Sequence, residues 1–165
     1  MAKESSFDVV SSVDMQEVDN AYQQAARELT QRYDLKQSNA TIEFSRKDKT
    51  FTVTAPSEFV AGQVVDVLNG KLVKRGIELG ALRWGELEPA TGASVRRRAR
   101  LVQGIDKDTA KRISKDIRDL KLKCKATVEG DKLRVSSASR DTLQQVIAAL
   151  KERDYGQPLQ FTNYR

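Results

Sequence analysis

The sequence predicts an α+β protein built as two tandem units, each a four-stranded antiparallel sheet with two helices on one face. Three observations predict it. Apolar residues alternate at period two in short runs and recur every three or four residues in longer ones. A Ser or Asp stands at the start of each longer run, where a helix needs a cap. The order strand, helix, strand, strand, helix, strand then occurs twice, and DKTFTVTAPS (Asp48 to Ser57) is answered by DKLRVSSAS (Asp131 to Ser139).

In FDVVSSV (Phe7 to Val13), Phe7 and Val9 share one side of a short strand. Asp14 with Glu17 resembles a capping box, and Met15, Val18, Tyr22, Ala25, Leu29 and Tyr33 follow at helical spacing. ATIEFS and TFTVTA alternate on either side of RKDK and form a hairpin. Ser57 caps a helix with Phe59, Val60, Val64, Val67, Leu68 and Leu72 inward, and Gly76 stops it. A strand around Leu82 to Leu87 leads to a linker across Pro89 and Gly92, and Trp84 packs rather than stacks on a base.

Val95, Arg97, Ala99 and Leu101 alternate with Arg96, Arg98 and Arg100. Asp106 caps a helix with Ala110, Ile113, Ile117 and Leu120 inward and Lys107, Lys111, Lys115 and Arg118 outward. Lys121, Lys123 and Lys125 alternate with Leu122, Cys124 and Ala126, the pattern of a strand. Gly130-Asp131 turns the chain into LRVSS, and Ser139 caps a last helix with Leu143, Val146, Ile147 and Leu150 inward. PLQFTN supplies a final strand.

A length of 165 residues suits one or two domains, divided here as residues 1–90 and 91–165. An alternative cut gives strand 7–13 to the second sheet, since termini often lie close. The first half holds 11 Lys and Arg against 14 Asp and Glu, and the second 18 against 9. A basic half suggests an anionic partner; a solubilising surface is the other reading. No apolar run is long enough to span a membrane, and MAKESSFDVV lacks the build of a secretory signal. One cysteine suits a reducing cytoplasm. With no histidine, Ser-His-Asp and Cys-His catalysis, HExxH zinc sites and haem ligation are disfavoured. No P-loop and no GxGxxG is present, so no catalytic or metal-ligating residue is nominated.

The order βαββαβ is the ferredoxin-like unit, used by RNA-recognition domains to bind single strands on the sheet's bare face. In the second unit that face carries Arg96, Arg98, Arg100, Lys132 and Arg134, with no aromatic among them. It suits phosphates and guanine edges rather than stacking.

Several segments resemble the YajQ family of small bacterial proteins: FDVVSSVDMQEVDNA, LNGKLVKRGIE, QGIDKDTAKRISKDIRDLKLKCKATVEGDKLRV, SRDTLQQVI and GQPLQFTNYR. The likeness covers nearly the whole chain and is weakest from Gly85 to Arg98. It implies two tandem ferredoxin-like domains, nucleotide binding (cyclic di-GMP in some members) and no enzymatic activity. The leading expectation is thus a cytoplasmic nucleotide-binding effector without cofactor, with cyclic di-GMP as ligand. Arginine can pair bidentately with both its phosphates and its guanines. The residues nominated are Arg134, Arg100, Lys121 and Lys123 from the second sheet, then Lys115 and Arg118 from the helix before it. Lys74 and Arg75 join them if the domains fold together. Helix and bare sheet face lie on opposite sides, so Lys115 and Arg134 are not expected to share one small ligand. The alternatives are an RNA- or tRNA-binding module using the basic half, and a nucleotide-switched protein-interaction domain or transcription co-factor, with a transcription factor as one candidate partner.

Overall fold

A computed structural model describes residues 3–165. Each helix starts where the sequence places a cap. In α1 (Met15–Gln31) the Asp14 carboxylate accepts from the backbone N–H groups of Gln16 and Glu17. Ser57 caps α2 (Glu58–Lys74) through the Val60 N–H. Asp106 caps α3 (Lys107–Asp119) through Thr109 at 2.7 Å, and Ser139 caps α4 (Arg140–Lys151) through Thr142. A side-chain oxygen so placed satisfies an N–H that has no partner within the helix. No helix among the described residues is long and apolar enough to cross a membrane.

The strands are β1 (Ser5–Val10), β2 (Thr41–Ser45), β3 (Thr50–Ala55), β4 (Leu82–Trp84), β5 (Glu88–Pro89), β6 (Val95–Leu101), β7 (Lys125–Glu129), β8 (Lys132–Ser137) and β9 (Gln160–Thr162). They form two antiparallel sheets in two units. One unit is Val13–Val102, here the inserted unit. The other, the terminal unit, joins Gln103–Arg165 to the segment that ends at Ser12.

The terminal sheet runs β7-β8-β1-β9 and the inserted sheet β2-β3-β6-β4, with the short β5 also on β6. Each is the ferredoxin-like order, with one difference from a simple tandem. The strand that opens the first half, β1, fills the centre of the second half's sheet. The strand that opens the second half, β6, fills the centre of the first half's sheet. The first strands are exchanged.

Two physical reasons favour this exchange. Consecutive strands tend to pair, and β6 follows β4 and β5 and pairs with both. The second reason is charge. Beside β8, a strand must face Lys132 and Arg134. In β1 the residue opposite Arg134 is Asp8. With β6 in that place, arginines would oppose a lysine and an arginine, and like charges directly across a ladder are destabilising.

The exchange moves the boundary from residue 90 to residue 102. The segment read as an interdomain linker, Pro89 to Ser94, instead belongs to the β4–β6 connection: Pro89 pairs with Val95, and the Ala90 N–H bonds to the Ser94 carbonyl. The charge asymmetry also shrinks. Counted by unit, the inserted one has 14 Lys and Arg against 12 Asp and Glu, and the terminal one 15 against 11. The apparent basic half owed much of its excess to the arginines of β6.

Each unit has its own core. In the inserted unit Phe51, Val53, Val64, Leu68 and Leu72 are fully buried between sheet and helices. In the terminal unit Phe7, Val9, Ile113, Leu133, Val135 and Val146 do the same. Two residues assigned inward by spacing lie outside: Phe59, in the first turn of α2, is 75% exposed, and Tyr33, past the end of α1, is 89% exposed. Trp84 packs against the inserted core with the Arg97 guanidinium over its ring.

Candidate functional site

The side of the inserted sheet away from α1 and α2 is set by the pleat. Ala99 and Leu101 of β6 point into the core, so Arg96, Arg98 and Arg100 point out. Directly opposed residues share a face. Arg100 is thus flanked by Thr50 of β3 and Arg83 of β4, Arg98 by Thr52, and Arg96 by Thr54. Beyond β3 the rows continue to Ser45, Glu43 and Thr41 on β2. The face is a plane of arginine and hydroxyl groups with little acid on it.

Its cations differ in what engages them. Arg96 pairs with Glu88 of β5 at 3.4 Å. Arg97, on the other side of the strand, donates to the Gly85 carbonyl at 2.9 Å. Arg98 and Arg100 are exposed, and neither is within ion-pair distance of a carboxylate among the described residues. Successive outward residues of a strand are about 7 Å apart along the backbone, so Arg98 and Arg100 present two guanidiniums from neighbouring positions to one anionic ligand. Among the described residues no aromatic side chain shares the face.

The terminal sheet's bare face is different. Asp8 is 2% exposed there and accepts from Arg134 Nε at 3.0 Å, Asn163 Nδ2 at 2.8 Å and Lys132 Nζ at 3.4 Å. Burial alone would raise its pKa; the hydrogen bonds from Arg134, Asn163 and Lys132 outweigh that and hold it below the usual carboxylate value. Arg134 also reaches Glu129 at 3.6 Å. The hydrogen bond to Asp8, then the charges of Asp8 and Glu129, raise its pKa further. The guanidinium first nominated for a ligand is therefore engaged by two carboxylates of its own unit.

The other nominated residues are scattered. Arg100 lies on the inserted sheet, so it does not share a face with Arg134. Lys121 and Lys123 precede β7 rather than lie on it. Lys121 has φ +55°, and the Cys124 N–H bonds back to the Leu122 carbonyl at 2.9 Å. The alternating KLKCKA pattern is that of a strand, but these residues end α3 and carry the chain back to the sheet edge. Lys115 and Arg118 are exposed on α3. Arg118, with Lys111 and Lys125, borders a cleft between α3 and β7. Lys74 and Arg75 end α2, where Arg75 pairs with Glu17 at 3.5 Å.

Arg83, Thr50, Thr52 and Asp8 were not singled out in the sequence. Arg83 joins the arginine row only because β4 pairs with β6. Asp8 looked like an ordinary outward residue in FDVVSS; an acid amid apolar residues in a strand was its one signal.

These features define a class: an α+β protein of two ferredoxin-like units, one of which carries an arginine-lined sheet face. A family model described as "Nucleotide-binding protein YajQ-like" matches residues 5–165. Proteins named "Nucleotide-binding protein" from Chloroherpeton thalassium, Alkaliphilus oremlandii and Desulfitobacterium hafniense are 51%, 48% and 46% identical, each over the full length of both chains. The chain belongs to the YajQ-like family.

Proposed function

We propose that this protein binds a nucleotide on the arginine face of its inserted unit, as a cytoplasmic effector without catalysis, and that cyclic di-GMP is the ligand. The observation that carries the reading is the pair Arg98 and Arg100. Both are exposed, neither is within ion-pair distance of a carboxylate among the described residues, and both share a sheet face with Arg83, Thr50 and Thr52. Guanidinium groups bind phosphate bidentately and also fit the O6/N7 edge of guanine. A ligand with two phosphates and two guanines offers four such partners. Threonine hydroxyls add donors and acceptors for ribose and phosphate. The names of the relatives and the family description agree with a nucleotide as the ligand.

The test is calorimetric titration of cyclic di-GMP into the wild type and into Arg98→Ala/Arg100→Ala. Losing two charge-assisted contacts should weaken binding by at least about tenfold, with circular dichroism unchanged. Undiminished affinity in the folded double variant overturns the assignment.

The row formed by Arg83, Arg98 and Arg100 on one sheet face favours a second reading, single-stranded RNA laid across the same arginines. Such a ligand would lose affinity with salt at a log-log slope of roughly −0.7 per phosphate contacted. A cyclic dinucleotide with two phosphates should show a much shallower slope. Titration of both ligands at two salt concentrations separates the readings.

A further inference from the structure

The terminal sheet ends at β7. On one side β7 pairs with β8 through Lys125 to Glu129; on the other no strand lies among the described residues. An unpaired edge presents a row of backbone N–H and C=O groups that a further strand can satisfy. Beside this edge, between β7 and α3, runs an open cleft of about 480 Å³. Ile117, Leu122, Cys124, Ala126 and Val128 form its apolar lining, and Val128 is 48% exposed. Its remaining lining is Ser114 and three cations, Lys111, Arg118 and Lys125, with no acidic residue. None of the three cations is in an ion pair among the described residues.

We infer that this edge and cleft receive an extended acidic peptide, which adds as a strand to β7 and places alternate apolar side chains in the cleft. Backbone pairing to an edge supplies affinity, and pockets for alternate side chains supply specificity. Five residues of β7 match about 17 Å of peptide. The acidic character follows from the rim: a neutral or basic strand would leave three cations facing apolar or like-charged groups.

A second copy of the chain is the competing occupant. Self-pairing about Thr127 would set Lys125 opposite Glu129, which is favourable alone. It would also bring the Lys111 and Arg118 sides of two α3 helices together, and Glu129 already serves Arg134. The charge balance therefore favours an acidic partner of another chain.

Selection of a phage-displayed library of random twelve-residue peptides on the full-length protein tests this. Recovered sequences should alternate apolar with acidic residues. Synthetic versions should protect the β7 amides from hydrogen exchange and bind at least about tenfold more weakly to Lys111→Glu/Arg118→Glu. Both positions are exposed, so the fold should hold, which circular dichroism checks. Ser114→Trp, which fills the cleft from the helix side, should weaken binding without altering charge. Cyclic di-GMP affinity should be the same in all three proteins, because the nucleotide face proposed above lies on the other unit. Failure to enrich any peptide, enrichment without acidic residues, or protection away from β7 would overturn the inference. So would a concentration-dependent dimer that protects β7 without peptide.

Discussion

Replacing Asp8 by Asn tests the claim that charge selects β1 for the terminal sheet. The change keeps size and shape but removes the anion. It also turns one carboxylate oxygen into an NH2 that must face Arg134, Lys132 or the Asn163 amide. Breaking a buried ion pair costs about 3–5 kcal/mol when both partners are enclosed. Here the carboxylate is enclosed, but the Lys132 and Arg134 side chains are 37% and 34% exposed, so water offsets part of the loss. A cost of roughly 2–3 kcal/mol is expected, measured by urea unfolding at neutral pH. The variant should also change the acid limb. Because the folded pKa of Asp8 lies below the ordinary 3.8, its contribution is complete above that value and is lost as pH falls through the folded pKa. Wild-type stability should therefore fall below about pH 4 more steeply than that of the variant, by up to about 1.4 kcal/mol per pH unit from this one group. A loss under about 0.5 kcal/mol, the range of ordinary surface changes, with the same acid slope in both proteins would show that the Asp8 charge does not hold β1 in the sheet.

Two further substitutions probe the packing. Phe51→Ala empties a site that is wholly buried and stacked on Phe44 at 4.5 Å, and should cost about 3–5 kcal/mol, whereas Phe59→Ala, at an exposed position, should stay within about 0.5 kcal/mol by the same urea measurement. Gly104→Ala should destabilise by at least about 1–2 kcal/mol, because Gly104 has φ +81° and an added Cβ would sit 3.0 Å from Asp131 Oδ2; an unchanged melting temperature would contradict that geometry.

Local structure was legible because its signals are local. Asp14, Ser57, Asp106 and Ser139 cap helices by bonding to N–H groups two or three residues away, and the sequence alone displays that spacing. The hairpins and the ferredoxin-like element order followed from alternation and turns in the same way. The partner of a central strand is not local. Both β1 and β6 alternate apolar with polar residues and both fit the middle of such a sheet. The place of β1 rests on pairing across more than a hundred residues, as between Asp8 and Arg134, and that of β6 on pairing with β3 across about forty to fifty, as between Ala55 and Val95. The candidate site shares this limit. Arginine in β6 was visible as a cationic run, but its companions Arg83, Thr50 and Thr52 depend on which sheet it enters. Arg134 looked available because Asp8 and Glu129, which engage it, were not yet beside it. Lys121 and Lys123 show the opposite error: a two-residue alternation without a strand, where helix α3 must end and the chain reverse.

The ligand is proposed to lie on the inserted sheet. Amide and arginine side-chain NMR shifts recorded as cyclic di-GMP is added test it most directly. The shifts should concentrate at Arg83, Arg98 and Arg100 and at Thr50 and Thr52 of the neighbouring strand. Shifts confined to β7, β8 or α3, with the inserted sheet unchanged at saturation, would contradict it.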